Sequence, residues 1–172
     1  GCHVAEDAEP ESQSTIAANM AAAWDLWHTP GGDAYATVPV GDHLETWPVK
    51  SQTFKRYIAK QFFEAEGKAI NSDALSAALN LMEATAMFDG EEHAIHVRVA
   101  EHKGNIYIDL CNGNWQVVEV TPIGWQVIDE SPVRFRRSRG MVAFPMPESG
   151  GSINQLRGFL NVDDTIWRLI VA

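Results

Sequence analysis

The sequence predicts an α+β fold, and three observations carry that expectation. Residues 51–66 and 71–88 repeat apolar side chains at spacings of three and four behind a capping residue, as amphipathic helices do. Residues 34–49 and 93–128 instead alternate apolar and polar positions between Gly- and Asn-rich turns. These strand-like runs follow one another without the crossover of about a dozen residues that parallel pairing needs, so hairpins and a meander are expected. The expected order is an N-terminal helix, a β-hairpin, a two-helix unit, an antiparallel β-meander and a short C-terminal helix.

Residues 1–13, GCHVAEDAEPESQ, are acidic and without apolar period, and read as a disordered leader to one compact domain over 14–172. STIAANMAAAWDLWHTPGG starts on Ser/Thr, runs through alanines and stops at Pro-Gly-Gly, which predicts a helix to about His28 with Trp24 and Trp27 on one face. Around Gly41-Asp42 the alternation predicts strands at 34–40 and 43–49. Ser51 is the expected cap of the next helix, Phe54, Tyr57, Ile58, Gln61 and Phe62 form its stripe, and Gly67 ends it. Asn71 or Ser72 caps a further helix that closes at Gly90 and buries Leu75, Ala78, Leu79, Met82 and Ala86.

Beyond Gly90 four short strands are expected, separated by Lys-Gly-Asn, Asn-Gly-Asn and Pro-Ile-Gly, with PVRFRR continuing the meander as an edge strand. PMPESGGS reads as a loop, INQLRGFLNV as a short helix and DDTIWRLIVA as an apolar tail. The tail runs to Ala172 with no cap or polar close, so the chain is expected to be a piece of a longer polypeptide.

With 172 residues, 45% of them apolar, the chain can close one good core. No run approaches the roughly 18 apolar residues of a membrane span, and no secretory pattern opens the chain, so a cytoplasmic protein without a membrane partner is expected. Cys2 and Cys111 are too few for a disulfide framework or a zinc knuckle. The net charge is −10, but its distribution is uneven: residues 1–92 hold fifteen acids and five bases, residues 93–172 eight of each. Long-range repulsion from phosphates argues against indiscriminate nucleic-acid binding, whereas a local basic strip can still contact DNA.

That strip is SPVRFRRSRGMVAFPMP, with Arg134, Arg136, Arg137 and Arg139 within six positions. On a regular strand Arg134 and Arg136 face one way and Val133, Phe135 and Arg137 the other. Guanidiniums beside Phe135 suit phosphates and stacked bases. They suit equally well an edge strand guarded by charge, or ion pairs to the N-terminal acids. Lys55, Arg56 and Lys60 make a weaker basic cluster, but the helix after it has no Lys or Arg to read a groove.

His93, His96, His102 and Asp109 raise a metal site, yet a spacing of three puts His93 and His96 on opposite strand faces and His102 falls in a turn. Trp115 and Trp125 occupy matching places in NWQVVEV and GWQVIDE, which predicts two indoles on one sheet face, as core or as a stacking and docking platform with Phe135. No G-x-S-x-G or Cys-His arrangement points to a nucleophile.

DAYATVPVGDHLETWPVKSQTFKRYIAKQFF, HVRVAEHKGNIYIDLCNGNWQVVEVTPIGWQVIDESPVRFRRSRGM and GGSINQLRGFLNVDD together cover much of residues 25–172. They resemble the region just upstream of the P-loop ATPase core in phage and mobile-element replication proteins of the primase-helicase kind. The chemistry of such proteins needs a G-x-x-x-x-G-K-[ST] loop, and this chain has none; Gly150-Gly151-Ser152 lacks the lysine. ATP and Mg²⁺ are therefore implied only for a downstream ATPase domain, and no cofactor for this chain. The resemblance implies a non-catalytic accessory domain contacting DNA or the adjacent motor. The alternatives are a small metal-dependent nucleotidyl or phosphoryl transferase using Asp109, His93 and His96, or a protein-interaction module using the tryptophans.

Overall fold

A computed structural model describes residues 11–171. Its elements are α1 (Gln13–Met20), a single 3-10 turn (Ala21–Ala23), β1 (Asp25–His28), β2 (Ala34–Val40), β3 (His43–Pro48), α2 (Gln52–Glu66), α3 (Ser72–Phe88), β4 (Ile95–His96), β5 (Val99–His102), β6 (Asn105–Asp109), β7 (Val117–Thr121), β8 (Gly124–Ile128), β9 (Arg134–Phe135), α4 (Ile153–Arg157) and α5 (Asp164–Val171). The α+β class expected from the sequence is the class observed. The acidic leader lies mostly outside the described residues, and α1 begins at Gln13, the last residue assigned to that leader, capped by Ser12, whose Oγ accepts from Thr15 N–H.

The N-terminal helix is shorter than the sequence predicts. It stops at Met20, and Asp25–His28 becomes β1, paired antiparallel with β2 in the register Trp27↔Tyr35. Tertiary packing overrides the alanine propensity here, because the strand lets Trp27 stack on Tyr35 at 4.9 Å and donate its Nε1–H to Thr37 Oγ1 at 3.1 Å. Trp24, in contrast, packs against Phe54 and Tyr57, so the two indoles do not share a face.

The sheet β1-β2-β3 is covered on both sides, which explains why β2 is buried at both faces over Tyr35–Val38. Ala36 and Val38 join Phe54, Ile58 and Phe62 of α2 and Ala78, Leu79 and Met82 of α3 in the larger core. Both helices start as expected: Ser51 Oγ accepts from Phe54 N–H, and Asn71 Oδ1 from Ala74 N–H. Gly67 ends α2 at φ +67, a conformation that favours glycine.

β5-β6-β7-β8 form the expected antiparallel meander. The first expected strand is cut in two because Arg98 adopts φ +71, separating β4 from β5. PVRFRR does not extend the meander: β9 turns away after Pro132 and pairs parallel with β4, Ile95↔Arg134 and His96↔Phe135. Val133 and Phe135 are thereby buried with Ala100, Tyr107 and Val117 in a second, smaller core. Within the apolar C-terminal tail, Asp164–Val171 forms α5. No helix among the described residues is long and apolar enough to cross a membrane.

Candidate interaction surfaces

Two of the four clustered arginines are drawn into the protein. Arg137 donates from Nε and Nη2 to the two oxygens of Asp109 at 3.0 and 2.6 Å, and from Nη1 to the Asn112 carbonyl at 2.5 Å. Its guanidinium lies 4.0 Å from the centre of the Trp115 ring. Asp109, only 1% exposed at its side chain, also accepts Cys111 N–H at 2.9 Å, so the buried carboxylate is matched by three donors. Arg134 reaches the first sheet instead, donating to Asp25 at 2.6 Å and to Thr37 Oγ1 at 3.4 Å, with its guanidinium 5.6 Å from the Trp27 ring. The alternation expected of the strip survives beyond its two-residue strand: Val133, Phe135 and Arg137 turn inward, whereas Arg136 is exposed.

A third arginine follows the same plan, and the sequence reading passed over it. Arg98 donates to the Val142 carbonyl at 2.5 Å and lies 4.2 Å from the Phe144 ring centre, while Phe144 N–H donates to the Leu110 carbonyl. These contacts hold the proline-bearing segment after the strip against the meander. The available signal was an arginine set between Val97 and Val99 in HVRVAEH.

Arg136 and Arg139 are exposed and form no ion pair among the described residues. Lys60 pairs with Glu64 along α2, while Lys55 and Arg56 have no ion-pair partner among the described residues. His93 sits edge-on to Trp27, His96 to Phe135 and His102 to Tyr107, and among the described residues no three His, Cys, Asp or Glu side chains gather as a metal centre. His102 lies in β5 and not in the turn, since the hairpin closes with Lys103-Gly104.

The tryptophans also separate. Trp115 lies ahead of β7 in a left-handed turn at φ +57 under Arg137, whereas Trp125 is the second residue of β8, opposite Val120. The repeated tripeptide Trp-Gln-Val therefore does not repeat its structure, because the Asn-Gly-Asn turn takes up the first copy's Trp. Trp125 belongs to the outer face of the meander, where it lines an open apolar groove of about 500 Å³ with Ile108, Val118, Val120, Phe144 and Pro147. Among the described residues, no charged side chain lines that groove. A second cleft, about 330 Å³, lies between the meander and the first sheet, with Thr37, Thr46, His93, Asp129, Glu130 and Arg134 on its walls.

The inner meander face is tied by Glu119, which accepts from Tyr107, Asn105 and Gln126. The bonds from Gln126 and then Tyr107 hold the Glu119 carboxyl below its ordinary range, and the bond to Glu119 raises the Tyr107 phenol. Burial pushes the Cys111 thiol up, against the pull of Arg137, which is the opposite of what a nucleophile needs.

One pH-sensitive cluster lies at the hairpin. Burial opposes charge on His43, but hydrogen bonds to Asp42 and Glu45 outweigh it and raise the imidazole above its ordinary 6.5, while the bond from His43 lowers Asp42. The raised histidine contributes stability that is complete below the unfolded-state value of about 6.5 and is lost as pH rises through the folded value. The lowered Asp42 contributes above its own unfolded value and loses that contribution as pH falls through the folded one. In an NMR titration the His43 midpoint is expected above 6.5 and should move down in Glu45→Gln.

The fold and these contacts define an α+β domain whose sheets are fastened together by arginine clamps and whose meander leaves an apolar face open. Compared with known proteins, the chain matches no family model, no curated protein sequence and no solved structure.

Proposed function

We propose that this is a non-catalytic accessory module that docks a protein partner through the outer face of its meander. One observation carries the reading: an uncharged groove lined by Trp125, Val118, Val120 and Phe144 stays open while Arg134 and Arg137 are committed to internal carboxylates. Large apolar grooves left open to water are characteristic of interaction surfaces. The resemblance to the region upstream of a P-loop core suggests the partner's class, an ATPase domain of a DNA-replication protein. The net charge of −10 favours a docking segment flanked by Lys and Arg, since complementary charge steers encounter and the groove itself supplies apolar contact. DNA is the competing partner, through the exposed Arg136 and Arg139.

A photo-reactive amino acid at Val120 tests the proposal in the producing cell, with the same group at Lys68 as control. The expected result is one protein cross-link, specific to position 120, whose peptides carry a Walker A loop. Cross-links to DNA, or none above the control, would overturn it.

A further inference from the structure

The sheets differ in how their edges are guarded. β3 carries His43, Glu45 and Pro48, and β5 carries Glu101 just after the left-handed Arg98, devices that discourage another strand from adding. β8 is the other edge of the meander, and Gly-Trp-Gln-Val-Ile holds no charge, no proline and no bulge.

The hairpin register fixes what that edge offers. β7 and β8 are joined by the two-residue loop Pro122-Ile123, so Thr121↔Gly124, Glu119↔Gln126 and Val117↔Ile128 are the hydrogen-bonded pairs. The N–H and C=O groups of Trp125 and Val127 therefore point away from the sheet, and no other described strand pairs with them.

We propose that β8 adds to β8 of a second copy, antiparallel about a two-fold axis through Gln126, to give one continuous eight-stranded sheet. This goes beyond the docking role, because it needs no other protein. In that register Trp125 of each copy pairs with Val127 of the other, and the four outward groups of each strand meet their complements in four hydrogen bonds. The Trp–Val pairs fall on the outer face and join an aromatic to a β-branched side chain, a favourable cross-strand combination. Gln126 meets Gln126 on the inner face. Asp129 and Glu130 fall opposite Ile123 and Pro122 of the other copy, so no acid meets an acid across the seam although each chain carries −10. The isologous contact closes on itself, as two-fold interfaces do.

Sedimentation of the full chain across a concentration series tests this. A reversible monomer–dimer equilibrium is expected, tightening with added salt as the repulsion between two acidic chains is screened. Val127→Pro removes an outward N–H and leaves the β7 ladder intact, and should weaken the dimer by about tenfold or more with an unchanged circular dichroism spectrum. A Gln126→Cys variant in a Cys2→Ser, Cys111→Ser background provides an independent test. Non-hydrogen-bonded antiparallel partners have Cα atoms about 4.5 Å apart, within disulfide reach, so mild oxidation should yield a covalent dimer, and Glu101→Cys at the opposite edge should not. A monomer at every concentration, with no Gln126→Cys cross-link, would overturn the proposal. Capture of a second copy from Val120 would yield a β8 peptide and not a Walker A peptide, so this proposal and the docking role can fail separately.

Discussion

Arg137→Ala is expected to destabilise the domain by about 3–5 kcal/mol, the cost of leaving a buried charge without its partner. Asp109 is almost wholly enclosed and would keep only the Cys111 N–H. Against a total stability of about 5–15 kcal/mol for a typical domain, the loss is large enough to show as a fall in thermal and urea midpoints. Arg137→Ala should also free the Asn112 carbonyl and uncover the Trp115 ring, loosening the Asn-Gly-Asn turn. The matched variant Asp109→Leu/Arg137→Met should lose less than the sum of its single changes, because replacing both charges leaves neither one stranded. Additive losses would mean that the pair does not act as a unit.

Gly90→Ala is expected to cost about 3 kcal/mol, at the upper end for overpacking. A Cβ at that position would lie 2.5 Å from both the Ala86 and Leu26 carbonyl oxygens and 3.0 Å from Trp27 Cα. All three are backbone atoms, so no rotamer change relieves the clash. The end of α3 is latched to β1 at this point: His28 Nδ1–H donates to the Ala86 carbonyl at 2.8 Å, His28 N–H to the Glu91 carbonyl and His93 N–H to the His28 carbonyl. Chemical denaturation of the variant checks the magnitude, and near-ultraviolet circular dichroism should report the displacement of Trp27.

Gly90 also marks how far the sequence could be read. Its place after an apolar helix identified a stop signal, but the close approach of β1 depends on a contact more than sixty residues away in the chain. Local signals found the cap Ser51, narrowed the next to Asn71 or Ser72, and found the αL glycine Gly67 and the meander turns, since each acts within a few residues. They failed at Trp27, where stacking on Tyr35 and a bond to Thr37 outcompete helix propensity. The arginine cluster was legible as a feature, and so was the opposition of Arg136 to Val133, Phe135 and Arg137, but not the inward commitment of Arg134 and Arg137. Its partners were not, because Asp25 and Asp109 lie 109 and 28 residues from the arginines they bind. The outer groove was equally hidden: Trp125 looked like the twin of Trp115 until the turn separated them.

Arg134 and Arg137 clamp the domain internally, and the exposed Arg136 and Arg139 are expected not to serve as phosphate contacts. Fluorescence anisotropy with labelled single-stranded, duplex and forked DNA across a salt series tests it most directly, comparing the native chain with Arg136→Ala/Arg139→Ala, which spares both internal clamps. No saturable binding by either protein is expected. Saturable binding that weakens with salt and disappears in the variant would contradict it and make the exposed half of the strip a DNA contact.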